Sequence, residues 1–189
     1  MSRVLEKRAL APHPTHAPSN LSVGSKLQLV GTDVLKIEFV VVGRIERILL
    51  PKSNSAERID GLWNRTCFEM FMQFGAGESY IEYNFSPSTA WAAYRFESYR
   101  DGMSADTKLP MPHIYFDCVG DNGIGRVALT AWLDVSRLLP EHPEKLGLSA
   151  VIEEIDGTKS YWALAHPPGK PDFHHPDCFA LTLPAFGAA

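Results

Sequence analysis

Between residues 61 and 100 the chain reads GLWNRTCFEMFMQFGAGESYIEYNFSPSTAWAAYRFESYR, and three segments in it repeat with a period of two. In residues 66–74 one set is Thr66, Phe68, Met70, Met72 and Phe74, and the other is Cys67, Glu69, Phe71 and Gln73. In residues 80–86 Ile81, Tyr83 and Phe85 oppose Tyr80, Glu82, Asn84 and Ser86. In residues 91–99 Ala92, Tyr94 and Phe96 oppose Trp91, Ala93, Arg95, Glu97 and Tyr99. That period belongs to strands, whose successive side chains leave on opposite faces. The pattern predicts Phe68, Ile81, Phe85 and Phe96 in a core. It predicts Glu69, Glu82, Asn84 and Arg95 among rings on a second face, which suits recognition better than solvation.

The rest of the chain carries the same signal. Residues 4–10 read as a strand before a Pro/His-rich connector. Residues 25–30 and 34–43 read as a hairpin across Gly31-Thr32-Asp33, and residues 45–50 as a further segment stopped by Pro51. Residues 113–119 run to the turn Gly120-Asp121-Asn122-Gly123, and residues 125–133 alternate again. Asp134 is placed to cap a short helical turn ended by Pro140. Residues 146–155 and 160–165 form a hairpin over Asp156-Gly157, residues 165–177 a rigid loop, and residues 178–183 a closing strand. About ten short strands with turns between them and almost no helical periodicity predict an antiparallel β-sandwich or barrel, in one domain over residues 1–189.

Composition narrows the partners. The net charge is −4 and no basic run offers a footprint for nucleic acid or an anionic membrane. No apolar stretch approaches the roughly 20 residues of a membrane span, and the first twenty residues lack the apolar run of a signal peptide. Three cysteines, Cys67, Cys118 and Cys178, are odd in number and not in CxxC spacing. That points to free buried thiols and a cytoplasmic location.

Three runs, LWNRTCFEMF, YIEYNFSPSTAWAAYRFESYRDGM and YWALAHPPGKPDFHHPDCFALTLP, resemble the free-standing bacterial DOMON-like domains. That group is similar to the family 9 carbohydrate-binding module. The resemblance spans residues 27–184 and implies a jelly-roll-like β-sandwich. In family 9 modules a terminal sugar lies between two tryptophans, with a carboxylate, an asparagine and an arginine bonding its hydroxyls. The resemblance implies Trp63 and Trp162 as the ring faces and Glu69, Asn84 and Arg95 as the polar partners. His166 and Lys170 would border the site from the proline-rich loop.

The chemistry of these side chains is consistent with that implication. A pyranose presents a C–H face to an aromatic ring and hydroxyls to carboxylate, amide and guanidinium groups. The expected function is a non-catalytic module for a saccharide or another polyhydroxylated ligand, with no cofactor. Bland readings stay open: Trp63 as an end plug, and Glu69–Arg95 as a cross-strand ion pair. Trp91 and Trp132 read as packing or sheet cover. Three rivals also remain. His166, His174, His175 and Cys178 are metal-binding types, but their spacing matches no closed site. Met70 and Met72 could serve a haem, although they share a face with Phe68 and Phe74. Glu69 and Glu82 could act as an acid/base pair.

Overall fold

A computed structural model describes residues 1–15, 20–52, 56–75, 77–105, 107–120, 123–138 and 143–183. Among them are twelve strands: β1 (Ser2–Pro12), β2 (Leu21–Val30), β3 (Val34–Gly43), β4 (Cys67–Phe74), β5 (Tyr80–Phe85), β6 (Trp91–Phe96), β7 (Ser104–Ala105), β8 (His113–Val119), β9 (Gly125–Asp134), β10 (Pro143–Glu153), β11 (Lys159–Ala163) and β12 (Leu181–Thr182). The ladder runs β7-β6-β5-β4-β10-β11-β1-β2-β3-β9-β8, with β12 on β10, and every pairing is antiparallel. β1 makes the turn from one layer to the other. Its residues Ser2 to Leu10 pair with β2, while Ala11 and Pro12 pair with Ala163 and Trp162 of β11. The ladder therefore curls into an all-β sandwich, as the alternation predicts.

The main core lies between the layers. Leu27, Leu35, Ile37 and Phe39 from one layer meet Phe68, Met70, Met72, Ile81 and Phe85 from the other. Phe39 and Phe68 bring their rings to 5.1 Å. Each fully buried side chain of this size contributes roughly 1.5–3 kcal/mol through transfer from water.

The layer containing β4 and β5 has a second buried face. An antiparallel sheet commonly leaves one face wet, yet every residue of β5 and all of β4 but Gln73 are buried. The cover is the loop 165–179, whose Phe173, Cys178 and Phe179 pack on Phe71, Tyr80, Tyr94, Phe96 and Val151. Phe71 stacks on Phe179 at 5.7 Å, and Tyr80 stacks on Phe96 at 4.7 Å.

Several sequence readings change. In β6 the faces are inverted: Phe85 pairs with Trp91 and Ile81 with Arg95, so Trp91, Ala93 and Arg95 take the core-side face. Phe96 stands opposite Tyr80 on the outer face instead of in the main core. Alternation could not fix this phase, because both sets of β6 are largely apolar. The turn fixes it, through a Ser86 N–H to Ala90 carbonyl bond of 2.9 Å and Thr89 at φ 72°. The segment 45–50 opens on a 3-10 turn, Ile45–Arg47, and Ile48 bridges to Glu154. The closing strand shrinks to β12, with Cys178 in the 3-10 turn Pro176–Cys178. Cys118 is exposed, whereas Cys67 and Cys178 are buried. Asp134 does cap its turn, accepting from the Ser136 N–H at 2.9 Å. Asp121, Asn122, Pro140 and Pro184 lie outside the described residues.

Candidate functional site

The covered outer face of β4–β5–β6–β10–β11 is not covered completely. An open cleft of about 390 Å³ remains, with Glu69 and Glu82 on its floor and Trp63, Phe96, Val151, Tyr161 and Phe173 among its walls. Arg100, Lys159 and His174 also reach it. The volume falls within the range of small-molecule sites.

Sheet register brings the two carboxyl groups together. Glu69 of β4 pairs with Asn84 of β5, and Phe71 pairs with Glu82, so the glutamates are diagonal neighbours on one face. Both are nearly inaccessible, at 3% and 4% exposure. Each has one oxygen held from inside the protein. Ser149 Oγ donates to Glu69 Oε2 at 3.2 Å, and Asn84 Nδ2 donates to Glu82 Oε1 at 2.7 Å. Among the described residues the other oxygen of each makes no hydrogen bond to the protein; Glu82 Oε2 lies 3.8 Å from His174 Nε2.

Burial sets the protonation of this floor. It pushes the Glu69 carboxyl well above the usual range, and the Glu82 charge adds to the effect. It lifts Glu82 to about 7, against the opposing pull of the Asn84 hydrogen bond and the Arg100 charge. The same burial, with Arg100, drops His174 to about 4. The 3.8 Å contact to Glu82 therefore involves a neutral imidazole near pH 7 and is not an ion pair. Tyr80 Oη lies 2.7 Å from His174 Nδ1 and accepts from the Arg100 N–H at 3.2 Å. With the phenol donating to Nδ1, the ring proton sits on Nε2, facing Glu82.

The walls are fixed by loops. Gly61 adopts a left-handed φ of 77°, which starts the 3-10 turn Leu62–Asn64 and turns Trp63 toward the cleft. Tyr94 donates to Asp60 Oδ1 at 2.7 Å, and the Trp63 ring meets Tyr94 edge-on at 5.5 Å. Lys159 Nζ holds the Asn64 carbonyl at 2.7 Å. On the other side Arg100, at φ 56°, grips Asp172 through Nε at 3.2 Å and Nη2 at 2.7 Å. Tyr99 donates to the second oxygen of the same carboxylate. Burial works against ionising Asp172, but these bonds outweigh it and hold the group below its ordinary range. This latch fixes the loop that carries Phe173 and His174.

Of the seven side chains expected at the site, the cleft brings together Trp63 and Glu69. Trp63 is 38% exposed, so it does not plug the core. Asn84 is on the same face beside Glu69 but fully buried, where it supports Glu82 and accepts from the Cys67 thiol at 3.4 Å. Arg95 is on the opposite face, which also rules out a direct pairing across the sheet with Glu69. Trp162 is 3% exposed and belongs to the main core, because Ala150 pairs with both Trp162 and Phe68. Its indole N–H is satisfied by Ser160 Oγ at 3.0 Å. The ring β11 does offer the cleft is Tyr161, one residue earlier. His166 turns toward the Ala11 carbonyl at 2.8 Å and Lys170 is exposed; neither lines the cleft.

Sequence reasoning gave Arg100, Tyr161 and Phe173 no place at the site, and read Phe96 as core and His174 as a metal-binding type instead. For Phe96 and Tyr161 the signal was present but in the wrong phase. Arg100 and His174 sit in loops, where no periodicity points. The four metal-binding types diverge: His166 goes to β1, His174 to Tyr80, His175 to Asp177 and Cys178 to the Asp172 carbonyl. Among the described residues no group of three or more His, Cys, Asp or Glu could hold a metal ion. Met70 and Met72 are fully buried in the main core. No described helix is long and apolar enough to cross a membrane.

No family model and no curated protein matches the chain. The structure is similar to that of a candidate carbohydrate-binding protein from Bacteroides uniformis. The TM-score is 0.58 at 13% identity, and the match covers 94% of this chain and 84% of that one. At that identity the likeness is one of fold.

Proposed function

We propose that the cleft binds a saccharide and that the chain is a non-catalytic recognition module. One observation carries the reading. The half-exposed indole of Trp63 stands at a cleft whose floor is two otherwise buried carboxyl groups, each with one oxygen unused by the protein. A sugar ring needs that combination, a flat apolar wall beside hydroxyl partners. Tyr161, Phe96 and Phe173 take the place of the second tryptophan. The fold shared with a candidate carbohydrate-binding protein supports the reading, as does the resemblance to DOMON-like and family 9 modules. Net bonds of about 1 kcal/mol each make such a site weak. The free thiols are compatible with the cytoplasm.

Saturation-transfer NMR against a panel of oligosaccharides tests this. Binding by the native protein and its loss in Trp63→Ala, with the fold intact, is the expected result. Silence across the panel would overturn the reading. A second reading, glycoside hydrolysis by Glu69 and Glu82, is favoured by their shared floor and by Glu82 lying near 7. Turnover of chromogenic glycosides, abolished in Glu82→Gln, would establish it instead.

A further inference from the structure

We propose that the saccharide carries a free amine, an amino sugar whose ammonium group lies between Glu69 and Glu82. This rests on the saccharide reading of the same cleft. The first ground is a missing cation. Buried carboxylates need a partner or a proton, since an uncompensated charge out of water is costly. The two nearby cations are already engaged: Arg100 holds Asp172 through Nε and Nη2, and Lys159 Nζ holds the Asn64 carbonyl. His174 is neutral and 3.8 Å away. Among the described residues neither glutamate makes an ion pair with Lys or Arg, although both line an open cleft.

The second ground is the two unused oxygens. Ser149 and Asn84 each fix one carboxyl from behind, which leaves Glu69 Oε1 and Glu82 Oε2 as acceptors for one incoming donor group. An ammonium has three N–H donors and no acceptor, which matches two facing carboxylates. Trp63, Phe96, Tyr161 and Phe173 supply ring faces, which attract a cation as well as a sugar's C–H face.

Proton balance follows. At neutral pH the floor retains a proton, because Glu82 sits near 7 and burial also holds Glu69 well above its ordinary range. The groups facing Glu82 are Glu69 and Cys67 from β4, Tyr80 and Asn84 on its own strand, Tyr94 from β6, Arg100 and His174. The ligand arrives as R–NH3+, replaces the carboxyl proton and releases it to the buffer. No covalent bond changes.

Calorimetry at pH 7 with three β-1,4 trisaccharides tests the proposal: glucosamine, N-acetylglucosamine and glucose trimers. The amine trimer should bind at least about tenfold tighter than either neutral one, the worth of one charge-assisted bond. Its enthalpy should change between buffers of different ionisation enthalpy, and Glu69→Gln or Glu82→Gln should weaken the amine trimer by a larger factor than the neutral trimers, so that the preference disappears. Equal affinities for all three would overturn the amine inference and leave the saccharide reading standing. Putrescine binding as tightly as the amine trimer would mean a plain cation site and would sink both. No binding by any trimer would do the same.

Discussion

Replacing Glu82 by glutamine should stabilise the protein, and by an amount that depends on pH. Glu82 is raised from 4.5 to about 7 in the folded protein, chiefly by burial. A carboxyl raised by folding contributes its full share of stability below the unfolded value and loses it as pH climbs through the folded value. The sign follows from proton counting: between 4.5 and about 7 the folded chain holds the extra proton, so raising the pH favours unfolding. At about 1.36 kcal/mol per unit, the loss by pH 8.5 is on the order of 3 kcal/mol. Glutamine keeps an oxygen for Asn84 and carries no charge to desolvate. His174, lowered to about 4, changes stability in the opposite sense between 4 and 6.5 but is common to both proteins. Urea denaturation at steps from pH 4.5 to 8.5 should therefore show the two curves close together in acid. The variant should gain about 3 kcal/mol in alkali. A difference that stays constant across that range would refute the burial argument.

Other substitutions separate the roles of neighbouring rings. Trp63→Ala should cost under about 1 kcal/mol by denaturant titration, since the ring is partly exposed. Trp162→Ala should cost roughly 3–5 kcal/mol, since it opens the main core. Arg100→Ala should release the Asp172 latch, read as faster hydrogen exchange in residues 165–179 while the exchange of β2 and β3 is unchanged. Cys118 alone should react with Ellman's reagent in the native protein, because burial pushes Cys67 well up and Cys178 to about 12; denaturant should expose three thiols.

The strands were legible because each needed only local alternation. Phe68, Ile81 and Phe85 sit in the main core as their pattern requires. The face of a strand that is apolar on both sides was not legible. In β6 and β11 rings of opposite phase compete, Tyr94 with Trp91 and Tyr161 with Trp162, and turn length and pairing decide between them. The candidate site suffered most, because a one-residue slip moves a side chain through the sheet. Arg95 and Trp162 were lost that way, and Phe96 and Tyr161 gained. Glu82 was visible on the right face from the start. Arg100 and His174 come from loops whose course depends on the Asp172 latch, a contact between residues 72 apart in the chain.

The central claim, a ligand site at Trp63 and not at Trp162, is tested most directly by indole N–H resonances. In a 15N-labelled sample the four tryptophans give four such signals, assigned by single substitution. On titration with an oligosaccharide that binds, the Trp63 signal should move progressively and the Trp162 signal, held by Ser160 inside the core, should stay in place. Movement of Trp162 with Trp63 unmoved, or no movement of either, would contradict the account.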